Sequence, residues 1–200
     1  MEFALLTGLG LAAPAGLNAY IPLLVLALAA RFSSSVTLAP PFDALSSTWA
    51  IAIILLLLTV ELVVDKVPGA DHINDIFQTI IRPAAGALLA ITATSEAVSI
   101  NPVLAGALGL SAAGAVHAAK VTTRATSTAT TVGLFNPIIS FGEDLLAAIS
   151  SITAIFLPLA VLVFLIGFIG FVIFGLVRRL RRTPATTATG ESPGSPGLRR

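Results

Sequence analysis

From Trp49 to Val60, and again from Ile152 to Val177, the chain carries no charged residue. Runs of this kind approach or exceed the roughly 20 apolar residues that cross about 30 Å of hydrocarbon. They recur along a chain of 200 residues that is 56% hydrophobic and 10% charged, with a mean hydropathy of +0.98. A soluble domain needs more polar surface than that. The pattern predicts an all-α, polytopic helical membrane protein with about six transmembrane spans, some of them broken or re-entrant, and both termini cytoplasmic. Residues 1–182 form the helical membrane domain in this reading. Residues 183–200, rich in Pro, Gly, Ser and Thr, form a disordered cytoplasmic tail.

The punctuation of the runs sets the expected elements. Pro14, Gly16, Asn18 and Pro22 interrupt the first run, Phe3 to Ala30, and imply either a kinked helix or two half-helices meeting at an unwound joint. Trp49 to Lys66 reads as a clean span, stopped by Pro68 and Gly69. Asp71 to Arg82 has apolar residues on one face and reads as a helix that lies along the membrane surface or packs beneath the bundle. Pro83 to Val98 and Pro102 to Val121 form a tight pair, with Asn101 capping the second and small residues, among them Gly86, Gly106 and Gly109, allowing close approach. Asn136 to Ser151 and Ile152 to Val177 complete the spans. The cluster Arg178 to Arg182 marks the cytoplasmic side, and Lys66, Arg82, Lys120 and Arg124 fall on cytoplasmic connections.

Polar residues inside such runs are costly and therefore informative. Glu61 and Asp65 stand four apart, on one helical face, followed by Lys66. They read either as interfacial groups paired locally or as a buried carboxylate pair facing a cavity. His117, Lys120 and Arg124 continue through Ser127 or Thr128 to Thr131 as one stripe on an Ala/Gly helix, and the hydroxyl residues between Thr122 and Thr131 suggest a hydrated lining. Gly133, Asn136 and Pro137 predict a second broken segment, with Asn136 as a cap, ahead of Glu143 and Asp144 within a span. Those two acids read either as ion-pair partners of Lys120 or Arg124 or as a proton or cation relay. Asp71, His72 and Asp75 are commonplace on a solvated helix face, so no metal site is assigned.

The stretches "AGLNAYIP", "ELVVDKVPGADHIND", "RPAAGAL", "HAAK" with "TTR", and "GLFNPIISFGED" resemble the bacterial membrane-protein family called domain of unknown function 4126. The resemblance covers roughly Leu5 to Ala154. It implies a helical inner-membrane protein and carries no activity or assigned site residue. A shorter likeness, to the E-x-G-D-K motif of cation/proton exchangers, fails on spacing, since three residues separate Glu61 from Asp65 here.

The function expected is that of a small ion or solute transporter or channel with a polar intramembrane cavity. Acids outnumber bases between Glu61 and Asp144, which points to a cation or proton. The alternative is a non-transporting membrane scaffold or assembly factor. No nucleophile with a base, zinc spacing or nucleotide loop appears, so an enzyme is not expected, nor is a cofactor or metal. The expected partners are membrane lipid and a small ion or solute, with no nucleic acid. The expected location is the bacterial cytoplasmic (inner) membrane, with the oligomeric state open.

Overall fold

Asn18 does much to decide how this chain folds, because its side chain starts a new helix in the middle of an apolar run. The computed structural model describes residues 3–65, 70–96, 100–161, 163 and 166, without the side chains of residues 70–73 and 75. Helix α1, Ala4–Ala15, ends one residue after Pro14. Helix α2, Tyr20–Phe32, begins where Asn18 Oδ1 accepts from the backbone N–H groups of Tyr20 and Ile21, each at 3.1 Å. The two helices are antiparallel. A Cβ on Gly8 would lie 3.2 Å from Ala90, and one on Gly16 only 2.9 Å from His117 N, so α1 runs from one end of α4 toward the middle of α5. The chain then returns through α2, after which Ala39 N donates to Ser95 Oγ, beside the end where α1 began.

The first apolar run is therefore a helical hairpin with an unwound apex at residues 16–19. Its arms have 12 and 13 residues, roughly 18 and 20 Å, short of a full crossing. It is also the centre of the fold, since Leu11, Ala12, Ala15, Ala19, Leu26 and Ala27 are fully buried.

The remaining helices surround it. A 3₁₀ turn, Phe42–Ser46, leads into α3, Thr48–Val64, where Ser47 Oγ caps by accepting from Ala50 N. The sequence places a surface helix before Pro83 and a span after it, but the structure has one continuous α4, Ala70–Thr94, with Pro83 inside. A proline inside a helix costs it one backbone bond, which packing against neighbouring helices can offset. α4 packs on α5, Pro102–Thr131, through Gly86 and Gly109, where a Cβ on either would collide with the other's carbonyl. Asn101 caps α5 as expected, its Oδ1 accepting from Val103 N at 2.8 Å.

Two further boundaries differ from expectation. The segment around Gly133 and Pro137 is not a break within a span: it is the turn joining α5 to α6, Asn136–Phe156. Val132 and Gly133 both take positive φ there, the conformation that terminates a helix and suits glycine. α6 runs through Ile152, where a new span was expected, and stops at Leu157 because the following Pro158 disfavours helical backbone before it. Most of the expected last span, the Arg178 to Arg182 cluster and the tail lie outside the described residues.

Ile76–Thr94, Pro102–Thr131 and Asn136–Phe156 are long and apolar enough to cross a membrane, and α1, α2 and α3 are shorter apolar helices. The distribution of side chains agrees with lipid contact. Trp49, Leu56 and Val63 of α3, Val103 and Leu104 of α5, and Ile138, Phe141 and Leu146 of α6 point outward, whereas many charged groups point inward.

Candidate functional site

α3 is mostly Ile, Leu and Val, yet within the helix it buries only Ile54 and Glu61. Asp65, one turn on at its C-cap, shares that inward face. Opposite them α4 supplies Arg82, α5 supplies Lys120 and Arg124, and α6 supplies Glu143. All six side chains belong to residues 0–8% exposed.

They meet one another. Arg82 Nη2 donates to Glu61 Oε1 at 2.8 Å. Asp65 Oδ2 accepts from Arg124 Nη2 at 2.9 Å, lies 3.3 Å from Lys120 Nζ and stands 3.9 Å from Arg82 Nη2. Its other oxygen accepts from Asn74 Nδ2 at 2.8 Å. Glu143 Oε2 takes Lys120 at 3.1 Å and Arg124 at 3.0 Å. Three carboxylates and three cations thus cancel formally. This matters because an uncompensated buried charge costs several kcal/mol, whereas a paired and hydrogen-bonded set is tolerated.

The helical hairpin closes on this network from the other side. Lys120 Nζ donates to the Leu17 carbonyl at 2.6 Å, and Asn18 Nδ2 donates to Asp144 Oδ1 at 3.0 Å. The unwound apex is what frees that carbonyl, since a carbonyl within a helix is already taken by the ladder. His117 completes the arrangement beneath Gly16. Its Nδ1 lies 3.0 Å from Arg82 Nη1 and its Nε2 lies 3.1 Å from Thr79 Oγ1. A guanidinium only donates, so Nδ1 accepts and Nε2 carries the hydrogen, which assigns a neutral imidazole.

Of the residues singled out in the sequence, Glu61, Asp65, His117, Lys120, Arg124 and Glu143 are brought together. Asp144, one residue along the helix from Glu143, accepts from Asn18 Nδ2. Asn136 does not cap α6, because its side chain reaches back to Thr128 Oγ1 at 3.1 Å. Lys66 lies outside the described residues. Pro22 is buried in the first turns of α2, and Pro14 in the last of α1. Arg82, Lys120 and Arg124 are not charges of solvated connections: each sits inside a helix, on a buried face.

The hydroxyl-rich end of α5 also differs from expectation. Thr122, Thr123, Thr126 and Thr130 face outward, and each hydroxyl donates to the carbonyl four residues earlier. That satisfies the hydroxyl without water and suits a helix face in lipid or at its boundary. Three of them, with Ala119, line a shallow groove of about 480 Å³ on this outer surface. Arg82, Asn74 and Ser140 were missed as site residues. Arg82 carries the clearest signal: Gln78, Arg82 and Gly86 fall four apart on one stripe, which only a helix continuous through Pro83 would align. Among the described residues no group of three His, Cys, Asp or Glu could hold a metal ion.

These features define a helical membrane protein in which a helical hairpin closes on a buried, formally neutral ion network. The chain belongs to the family described as Domain of unknown function (DUF4126), whose profile matches residues 5–178. No curated protein and no solved structure matches it.

Proposed function

We propose that the protein moves a small ion or solute across a membrane, with the ion network and the hairpin apex as its intramembrane site and no chemical reaction catalysed. The observation that carries this reading is the Lys120 Nζ to Leu17 carbonyl bond. It joins an unwound backbone segment to charged side chains deep in the fold, the combination by which discontinuous helices bind substrates in transporters. The buried arrangement corresponds to a closed state, in which the groups that would hold a substrate hold each other. The acid excess of the sequence no longer favours a cation, because the network itself balances.

The orientation proposed puts the Asp65 end of α3 toward the cytoplasm of a cell's inner membrane, since Lys66 follows it and Arg178 to Arg182 lie further on. With α1 and α2 antiparallel, Phe3 then faces the opposite side. Six spans with both termini inside would require the hairpin to count as one traversal, and the re-entrant geometry favours a different count.

A scaffold is the second reading, favoured by the completeness of the pairing among the six charges. The two separate on ligand binding. A substrate that occupies the network at 100 times its Kd stabilises the folded state by about 2.7 kcal/mol. A panel of inorganic ions and small polar solutes should contain at least one that raises the Tm of the purified protein and fails to raise that of Lys120→Gln. If no member of the panel shifts the wild type, the scaffold reading stands.

A further inference from the structure

Two acceptors beside the network have no donor. Glu61 Oε2 and Gln78 Oε1 are both buried and make no hydrogen bond among the described residues, although Glu61 Oε1 is engaged by Arg82. Gln78 precedes Arg82 by one helical turn, so both side chains leave α4 toward α3 on the same face. One turn before Gln78, Asn74 bonds Asp65, and one turn after it Arg82 bonds Glu61, so Gln78 sits between the two contacts that join α4 to α3. An orphaned acceptor costs roughly 1–3 kcal/mol, more on a charged group, and two on the facing sides of α3 and α4 ask for a common explanation.

We propose that Glu61 is a proton-binding site, loaded as a carboxylic acid whose Oε2–H donates to Gln78 Oε1. One proton satisfies both acceptors and leaves Oε1 available to Arg82. The inference deepens the transport reading, on which its functional meaning rests, by naming a proton as the coupling ion. The step is a simple protonation: Glu61 gains one proton and one unit of charge. The groups that face it set the consequence. Arg82 comes from α4, with neutral His117 of α5 behind it; Tyr20 comes from α2; Asp65 lies one turn along α3; Lys120 of α5 and, through it, Glu143 of α6 close the far side. With Glu61 neutral, three cations face two carboxylates, and the corner carries a net charge of +1. Arg82 then has Asp65 Oδ2, 3.9 Å away, as the nearest remaining anion. Proton loading therefore weakens the Arg82–Glu61 pair and biases Arg82 along α3 toward Asp65.

The test reads the proton and not the flux. Infrared difference spectra of the lipid-reconstituted protein, recorded against pH, should show a protonated-carboxyl C=O band that titrates reversibly. Glu61→Gln should remove the band. Gln78→Leu should keep it and move it to higher frequency, because the acid loses its hydrogen-bond acceptor, and this second variant decides the matter should the first fail to fold. Absence of any titrating carboxyl band, or a band removed by Glu143→Gln and untouched by Glu61→Gln, overturns the proposal. Either outcome is independent of transport: a wild type that binds the proton yet moves nothing refutes the transport reading alone.

Discussion

Removing Lys120 removes three interactions at once: a 2.6 Å bond to the Leu17 carbonyl and contacts of 3.3 and 3.1 Å to Asp65 and Glu143. Lys120→Met keeps most of the apolar stem and deletes the charge, so the loss is electrostatic and not a packing cavity. The network then holds three carboxylates against two cations in a place that water does not reach. Breaking one partner out of a buried pair costs about 3–5 kcal/mol, a fall of about 100- to 5,000-fold in the folding equilibrium. Unfolding by SDS in mixed micelles, followed by helical circular dichroism, measures this. Because the cost comes mainly from the uncompensated charge, Lys120→Met with Glu143→Gln should be less destabilised than the two single variants summed, by about 1–3 kcal/mol. A single-variant cost under about 1 kcal/mol, or strict additivity of the pair, would refute the claim that these groups form one buried, mutually compensating set.

The other expectations concern the frame around the network. The chain has no cysteine, so single cysteines at Ser35 and Val132 report topology without background, and an impermeant maleimide should label them from opposite sides of sealed vesicles; labelling from the same side would overturn the helix directions. Gly109→Leu, which would drive a side chain into the Gly86 carbonyl, should destabilise by at least the 1–3 kcal/mol typical of overpacking and separate α4 from α5 in the same SDS titration. Thr122→Val with Thr126→Val should change stability by less than about 0.5 kcal/mol and leave any measured flux intact, since those hydroxyls bond only their own helix.

Much of the site was legible because burial cost concentrates meaning in rare residues. Glu61 and Asp65 at a four-residue interval, and the stripe of His117, Lys120 and Arg124, could be placed on inward faces by period alone. What period could not tell is whether those faces meet a cavity or one another, which depends on the packing of four helices. Arg82 was hidden by Pro83. Read locally, proline ends a helix, while in this fold the close packing of α4 on α5 outweighs that preference. The hairpin was legible as a break and illegible as a reversal: Pro14, Gly16 and Asn18 mark where the helix stops, and only the contact of Ala39 with Ser95, beside the end where α1 began, shows that the chain turns back. The threonines of α5 misled for a related reason. Hydroxyls look hydrophilic in sequence, yet a hydroxyl donating to its own helix presents mostly its methyl group outward.

The most direct test of the account is flux. Sealed proteoliposomes containing the wild type, Asn18→Ala or Lys120→Gln, each verified as folded, are loaded with a pH-sensitive dye and challenged in turn with ions and small polar solutes. The account predicts a saturable movement for at least one of them in the wild type and its loss in both variants, because one variant uncaps the hairpin and the other unties it from the network. Wild-type vesicles no more permeable than protein-free ones across the panel would contradict it.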